Sequence, residues 1–314
     1  MLVLPSVKTM LLAALAATAV AYAAVLLAAV RRARRAPEAN DGPTAVTAPG
    51  AATGFVANFL DTLGVGSFAT TTTIFRHWRL VRDEWIPGTL NAGHTVPTIA
   101  QALIYTQIVP VGSRTLIAMI GAAVTGAWLG AGLVARLPRR AIQLGMGVAL
   151  LAAAALMLAA QLELLPAGGE ALELTGGRLA LAVGGNFALG ALMTLGIGLY
   201  APCMILVSLL GMNPTAAFPI MMGSCAFLMP VASTRFVRAR SYHPGMALSM
   251  LLGGIPAVLI AAFIVRSLPL TAVRYLVVVV VVYTAVNLVR AALRERAGVA
   301  QGGIVPGEPG AVVP

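Results

Sequence analysis

The strongest constraint on this chain is a series of apolar segments, each about as long as a helix that spans a bilayer. The first runs from Met10 to Val30, and eight more cover roughly residues 50–75, 92–110, 114–135, 141–162, 179–210, 215–234, 244–265 and 271–292. A transmembrane helix needs about 20 consecutive apolar residues, whereas a transmembrane β-strand needs about 10 residues of alternating polarity. The segments therefore predict an all-α polytopic membrane protein.

Composition agrees with this prediction and excludes the main soluble classes. Of the 314 residues, 59% are hydrophobic and 10% are charged, against about 25% charged in an average soluble domain. So few charges cannot cover a folded particle in water, which excludes a soluble enzyme, a disordered chain and a disulfide-stapled secreted domain. The net charge of +11 lies in short arginine clusters between apolar segments, which indicates membrane topology and not nucleic-acid binding.

The first apolar segment allows two interpretations. Its strongest basic cluster, Arg31 to Arg35, follows the segment, which is typical of a retained span whose N-terminus lies outside. A cleaved signal peptide is the alternative, although the apolar core of a signal peptide is only about 7–15 residues long. Residues 1–49 are therefore interpreted as an extra N-terminal span with a polar linker, and residues 297–314 as a disordered Gly/Pro-rich tail.

Two of the apolar segments resemble each other. When Gly54–Thr70 is aligned with Asn186–Pro202, seven of seventeen positions are identical, including a shared Thr-Leu-Gly-[Val/Ile]-Gly core. Each copy is followed by three further apolar segments. The sequence therefore predicts two four-segment repeats, residues 50–165 and 179–296, which is the usual organisation of a secondary transporter.

The basic residues distinguish two topologies. If every segment crosses the membrane, 12 basic residues lie inside and 9 outside; if the two glycine-bearing segments are re-entrant, the division is 16 to 5. The positive-inside rule favours the re-entrant topology, in which an odd number of crossings per repeat inverts the second copy. Inverted repeats place a substrate site at their interface near the midplane. A kinked helix that crosses fully is the alternative.

A glycine pair interrupts the first segment of each repeat. A helix that restarts after such a break presents free backbone N–H groups and a positive dipole end, which suit an anion. Polar residues beside the first break add donors, and aligning Gly93 with Gly223 pairs the start of the next segment in both repeats. The predicted substrate-binding residues are Gly64, Gly66, Ser67, Thr70, His94, Thr95, Gly196, Gly198, Ser224 and Cys225.

Two titratable residues at membrane depth are candidates for proton coupling. Asp61 lies three residues before Gly64 and could carry a proton or cap a broken helix end. His94 could bind the anion and titrate near neutrality, or lie at the membrane interface. Gln101 and Asn186 are interpreted as interhelical hydrogen-bonding residues. The scattered histidines and two cysteines give no metal-site spacing, and neither a cofactor nor a catalytic constellation is predicted.

These motifs resemble those of a known family. Gly-Phe-x(5)-Asp-Thr-Leu-Gly-Val-Gly-Ser, from Gly54, and Leu-Gly-Ile-Gly-Leu-Tyr-Ala-Pro, from Leu195, resemble the TauE/SafE sulfite exporter family, also called the 4-toluene sulfonate uptake permease family. The Gly-His-Thr and Gly-Ser-Cys stretches resemble its second-segment element. The resemblance covers about residues 50–295, and the N-terminal span is an addition to it. The family's longer glycine run is interrupted here by Ser67 and Leu199.

The resemblance implies a secondary transporter of small sulfur-containing or organic anions, such as sulfite or organosulfonates, in the bacterial inner membrane. Its expected partners are the anion and the lipid bilayer, with no nucleic acid, while homo-oligomerisation stays open. A non-transporting membrane subunit or assembly factor with the same fold is the alternative. A membrane enzyme has less support, because no catalytic constellation is present. The sequence leaves open the particular anion, the direction of transport and the coupling ion.

Overall fold

The computed structural model describes residues 7–35, 43–64, 66–82, 85–134, 169–193 and 199–267, with scattered positions from 144 to 162 and from 269 to 293. These residues form helices, and their β-structure is an isolated bridge between Ala171 and Met212. The elements are α1 (Val7–Arg35), α2 (Ala48–Thr62), α3 (Ser67–Trp78), α4 (Ile86–Ile108), α5 (Ser113–Val134), α6 (Gly176–Met193), α7 (Tyr200–Leu209), a 3-10 turn (Pro214–Ala216), α8 (Ala217–Arg238) and α9 (Pro244–Ser267).

The described helices confirm the all-α prediction and agree with a multi-pass membrane protein. Three of them are long and apolar enough to cross a bilayer: Val7–Arg35, Pro214–Arg238 and Pro244–Ile264. The predicted segments 141–162 and 271–292 lie largely outside the described residues, and so does the predicted tail, 297–314.

The two halves of the chain pack into each other. Helix α4 packs on α8, while α2 packs on α9 and α6 packs on α5. The first described helix of each half, α2 or α6, therefore contacts the fourth described helix of the other half. At two of these contacts glycine allows backbone to meet backbone. A Cβ atom on Gly253 would lie 1.9 Å from the carbonyl oxygen of Ala51, and one on Gly126 would lie 1.9 Å from that of Phe187.

Equivalent contacts recur across the two halves. A Cβ atom on Gly93 of α4 would meet the side chain of Met250 at 2.9 Å, and one on Gly223 of α8 would meet Ile120 at 2.5 Å. Gly223 follows Gly93 by 130 positions, and Met250 follows Ile120 by the same interval. The contact that α4 makes with α9 therefore corresponds to the contact that α8 makes with α5.

The start of α2 and the end of α3 both lie beside the start of α9. Thr47, which precedes α2, donates its backbone N–H to Oγ of Ser249 at 2.8 Å. Phe75, near the end of α3, belongs to the same buried cluster as Met246 of α9. The α2–α3 segment therefore begins and ends at one end of the bundle.

Further helix ends meet at this same place, which we call the basic end. The ring of Trp85, at the start of α4, lies 6.3 Å from that of His243, which precedes α9. Arg34, at the end of α1, donates to the carbonyl oxygen of Thr44 at 3.0 Å. Exposed arginines at the basic end are Arg31, Arg32, Arg34, Arg35, Arg76, Arg79, Arg82, Arg235 and Arg238.

The start of α6 and the end of α7 meet at the opposite end of the bundle. Ala171 donates its N–H to the carbonyl of Gly211 at 3.2 Å and accepts from the N–H of Asn213 at 2.8 Å. Gly112, before α5, donates to the carbonyl of Leu172 at 2.8 Å. Helix α4 connects the two ends and, with 23 residues, is about 35 Å long.

Helix α1 lies against both α4 and α8. The hydroxyl of Tyr22 donates to the carbonyl oxygen of Ala92 on α4 at 3.3 Å and is hydrogen-bonded to the hydroxyl of Ser233 on α8. Around these polar contacts, Leu26 and Val30 pack with Val237 in a buried apolar cluster. The first helix therefore contacts both halves of the chain.

Candidate functional site

The first glycine pair interrupts the chain between α2 and α3. Gly64 has φ +97° and Gly66 has φ +86°, a region that residues with a Cβ atom rarely adopt. Helix α2 ends at Thr62 and α3 begins at Ser67, with Gly66 as the residue before its first turn. The interruption predicted at this pair is therefore present. It leaves the N–H groups at the start of α3 without partners in the same helix.

The Asp61 carboxylate lies beside this break, is buried, and receives hydrogen bonds from three donors. Oδ1 accepts from the backbone N–H of Ser67 at 2.5 Å. Oδ2 accepts from the side-chain amide of Gln101 at 3.0 Å and from the hydroxyl of Tyr200 at 3.4 Å. These three donors are neutral and come from α3, α4 and α7, and the Ser67 hydroxyl is a further hydrogen-bond partner of the carboxylate. Asp61 therefore caps α3 and also joins the two halves of the chain.

Gln101 organises the polar groups around this carboxylate. Its amide nitrogen donates to Oδ2 of Asp61 and to the hydroxyl of Thr62, both at 3.0 Å. Its amide oxygen lies 3.3 Å from the Tyr200 hydroxyl, whose single hydrogen is shared between this oxygen and Oδ2 of Asp61. Gln101 is fully buried and lies in the interior of α4, away from both ends of that helix. The cluster therefore lies between the two ends of the bundle.

His94 lies in a second buried cluster, in which both of its ring nitrogens have partners. Nδ1 lies 3.1 Å from Oδ1 of Asn58, and Nε2 lies 2.9 Å from the hydroxyl of Thr71. Asn58 uses its amide nitrogen to donate to the carbonyl of Gly54, so its oxygen faces His94 as an acceptor. This arrangement suits a neutral imidazole that donates from Nδ1 and accepts at Nε2. Both ring nitrogens therefore have partners within the protein.

The hydroxyl residues predicted near the first break have different environments. The Thr70 hydroxyl is buried without a hydrogen-bond partner, so it retains the capacity to donate to a ligand. The Thr95 hydroxyl donates to the carbonyl of Asn91 at 2.5 Å, and its side chain also lies close to Tyr22 of α1. The contacts of Thr95 are therefore with its own helix and with α1.

The predicted residues of the second half are only partly described. Gly196 and Gly198 lie outside the described residues. The Ser224 hydroxyl donates to the carbonyl of Ile220 at 2.7 Å and accepts from the amide of Asn186 at 3.3 Å. Sγ of Cys225 lies 3.6 Å from Sδ of a methionine in α6. These two residues are buried in α8, the counterpart of the helix that carries His94.

Sequence reasoning did not assign two residues of the Asp61 cluster to the site. Gln101 was given an interhelical role, and Tyr200 was not singled out. The alignment of the repeats did contain a signal for Tyr200, since it lies two residues after Gly198 and opposite Phe68. Tyr200 therefore has a hydroxyl where Phe68 has none. A polar group beside a helix break at membrane depth is a candidate functional group.

Comparison with known proteins identifies the family. The model of the family described as "Sulfite exporter TauE/SafE" matches residues 1–157. The matched range includes the first helix, which the sequence analysis treats as an addition, and it ends before the second repeat. No curated protein and no solved structure matches the chain. Because the matched residues make up half of the 314-residue chain, the protein belongs to the TauE/SafE sulfite exporter family, whose members are membrane transporters and not enzymes.

Proposed function

We propose that this protein is a secondary-active transporter of small sulfur-containing or organic anions, such as sulfite or organosulfonates, and that protonation of Asp61 couples transport to protons. The observation that carries the proposal is the buried Asp61 carboxylate, which is held at the first break by donors from both halves. An ionisable residue at membrane depth is by default a functional candidate.

The proposed topology has two re-entrant segments that enter from opposite sides of the membrane. Its support is that α2–α3 begins and ends beside the start of α9, whereas α6–α7 begins and ends beside the start of α5. Exposed arginines gather at the basic end, so the positive-inside rule favours the cytoplasm for that end. We infer insertion into a bacterial inner membrane in this orientation.

In this arrangement the substrate binds between the first break and the start of α7. The contact that supports this position is the one between Asp61, beside the first break, and Tyr200, which follows the second. The N–H groups in the first turn of α3 after Ser67, whose own N–H donates to Asp61, and the unpaired Thr70 hydroxyl supply donors for an oxyanion. A broken backbone at this depth is tolerated because protein surrounds it.

Flux measurements in proteoliposomes test the proposal. An inward proton gradient should drive accumulation of sulfite and methanesulfonate, a protonophore should abolish it, and tetramethylammonium, a cation of similar size, should not accumulate. Asp61→Asn should keep anion exchange but lose gradient-driven accumulation, because an amide cannot release a proton. If folded, reconstituted protein moves neither anion under any gradient, the proposal is refuted and the non-transporting subunit is favoured.

A further inference from the structure

The groups around Asp61 already form a binding site for an oxyanion. A backbone N–H, a side-chain amide and a phenolic hydroxyl converge on two carboxylate oxygens, at 2.5, 3.0 and 3.4 Å. Hydrogen bonds to a charged acceptor are stronger than those between neutral groups. A sulfonate or bisulfite head presents oxygens that accept hydrogen bonds and share one negative charge, as the carboxylate does. The three donors therefore suit either anion.

Protonation of Asp61 would weaken this arrangement. A neutral carboxyl group brings a donor of its own to a place where three donors already point, and its oxygens become poorer acceptors. An acceptor that could receive the new O–H is the amide oxygen of Gln101, which lies 3.3 Å from the Tyr200 hydroxyl. The three donors would then be left short of an anionic partner.

We propose that the Asp61 carboxylate is an internal substitute for the anionic head of the substrate. When Asp61 is protonated, the N–H of Ser67, the amide of Gln101 and the hydroxyl of Tyr200 bind one oxyanion head in its place. This inference rests on the proposed function and adds to it the identity of the binding donors. Because one negative charge replaces another, one proton accompanies each singly charged anion.

The proposal assigns the change of charge to Asp61, because the other titratable groups near it are ordinarily protonated at neutral pH. Tyr200 of α7 and Cys225 of α8 are close enough to interact with its charge, and Cys203 of α7 interacts with Cys225. Phenols and thiols are ordinarily protonated at neutral pH. From α4 the facing group is Gln101, which does not titrate, while His94 bonds to Asn58 and Thr71. Helix α3 contributes the backbone N–H and the side-chain hydroxyl of Ser67, and neither titrates in this range.

The pH dependence of anion binding tests this idea in the unmodified protein. Methanesulfonate stays ionised across pH 5.5–8.5, so any pH dependence of its binding to the purified protein reports on the protein. Affinity should fall about tenfold per pH unit once Asp61 is mostly ionised, because only the protonated fraction is competent to bind. Asp61→Asn should bind independently of pH and, at pH 8, at least tenfold more tightly than the wild type.

A second substitution asks whether the donors are shared. In the Asp61→Asn background, Tyr200→Phe should weaken methanesulfonate binding by about tenfold or more, because it removes a hydrogen bond to a charged group. The matched control is Tyr105→Phe, since the Tyr105 hydroxyl donates to the carbonyl of Thr62 and not to Asp61. In the same background this control should leave the affinity unchanged.

Three results would overturn the inference: pH-independent binding by the wild type, failure of folded Asp61→Asn to bind, or no effect of Tyr200→Phe in that background. Proton-driven flux together with any of these refutes the internal substitute and leaves the proposed function intact. Absence of both flux and binding in the wild type, with sulfite and with methanesulfonate, refutes both. The pH titration of the wild type can refute the internal substitute even if a variant fails to fold.

Discussion

Gly66→Ala isolates the contribution of backbone conformation at the first break. Gly66 has φ +86° and ψ 127°, and a non-glycine residue in such a region is strained by about 1–3 kcal/mol. Nothing lies within 4 Å of a Cβ atom built there, so crowding adds nothing to this strain. If this strain affects only the native conformation of the break, the population of that conformation relative to relaxed conformations falls by roughly 5-fold to 150-fold. Relaxation would move the N–H of Ser67 away from Asp61.

Thermal unfolding in detergent and methanesulfonate flux in proteoliposomes measure this effect. We expect Gly66→Ala to lower both the melting temperature and the flux. Gly121→Ala is the matched control, because Gly121 lies within α5, has no positive φ and also has open space around its Cβ position. A Gly66→Ala protein with wild-type melting temperature and flux would refute the requirement for a positive φ. The same positive-φ strain applies to Gly66→Leu.

Three further predictions concern packing and orientation. Gly253→Ala should destabilise the protein by about 1–3 kcal/mol by overpacking against a backbone carbonyl, whereas Gly184→Ala, with open space, should not; equal melting temperatures would contradict the close helix contact. An impermeant maleimide applied outside intact cells should modify a cysteine replacing Arg114 but not one replacing Arg79, and the reverse pattern would overturn the proposed orientation. Tyr22→Phe should lower stability by about 0.5–1.5 kcal/mol, and an unchanged melting temperature would show that apolar contacts alone hold α1.

Several features could be predicted from local sequence. The apolar segments predicted the helical class, which the described residues confirm, and the repeated glycine motifs predicted a family that the family match confirms. The interruption at Gly64 and Gly66 was also predictable, because helix hydrogen bonds join residues four positions apart and a missing Cβ atom acts locally. The position of Asp61, three residues earlier, follows from the same local information.

The partners of these residues depend on contacts between distant parts of the chain. Gln101 and Tyr200 are 40 and 139 positions from Asp61, and no sequence pattern showed that they meet it. His94 illustrates the converse, since an imidazole that could serve an anion has both nitrogens occupied by Asn58 and Thr71. The binding and coupling roles of all these residues remain predictions.

The sequence alone determined where helices form, where the chain breaks between α2 and α3, and which ionisable group lies beside that break. Each of these depends on neighbouring residues. Only the tertiary structure decided which donors face Asp61 and that they come from both halves. Those directions depend on how each helix is rotated about its axis and how closely it approaches its neighbours. Both are set by packing between helices far apart in sequence, such as the contact of Gly253 with Ala51.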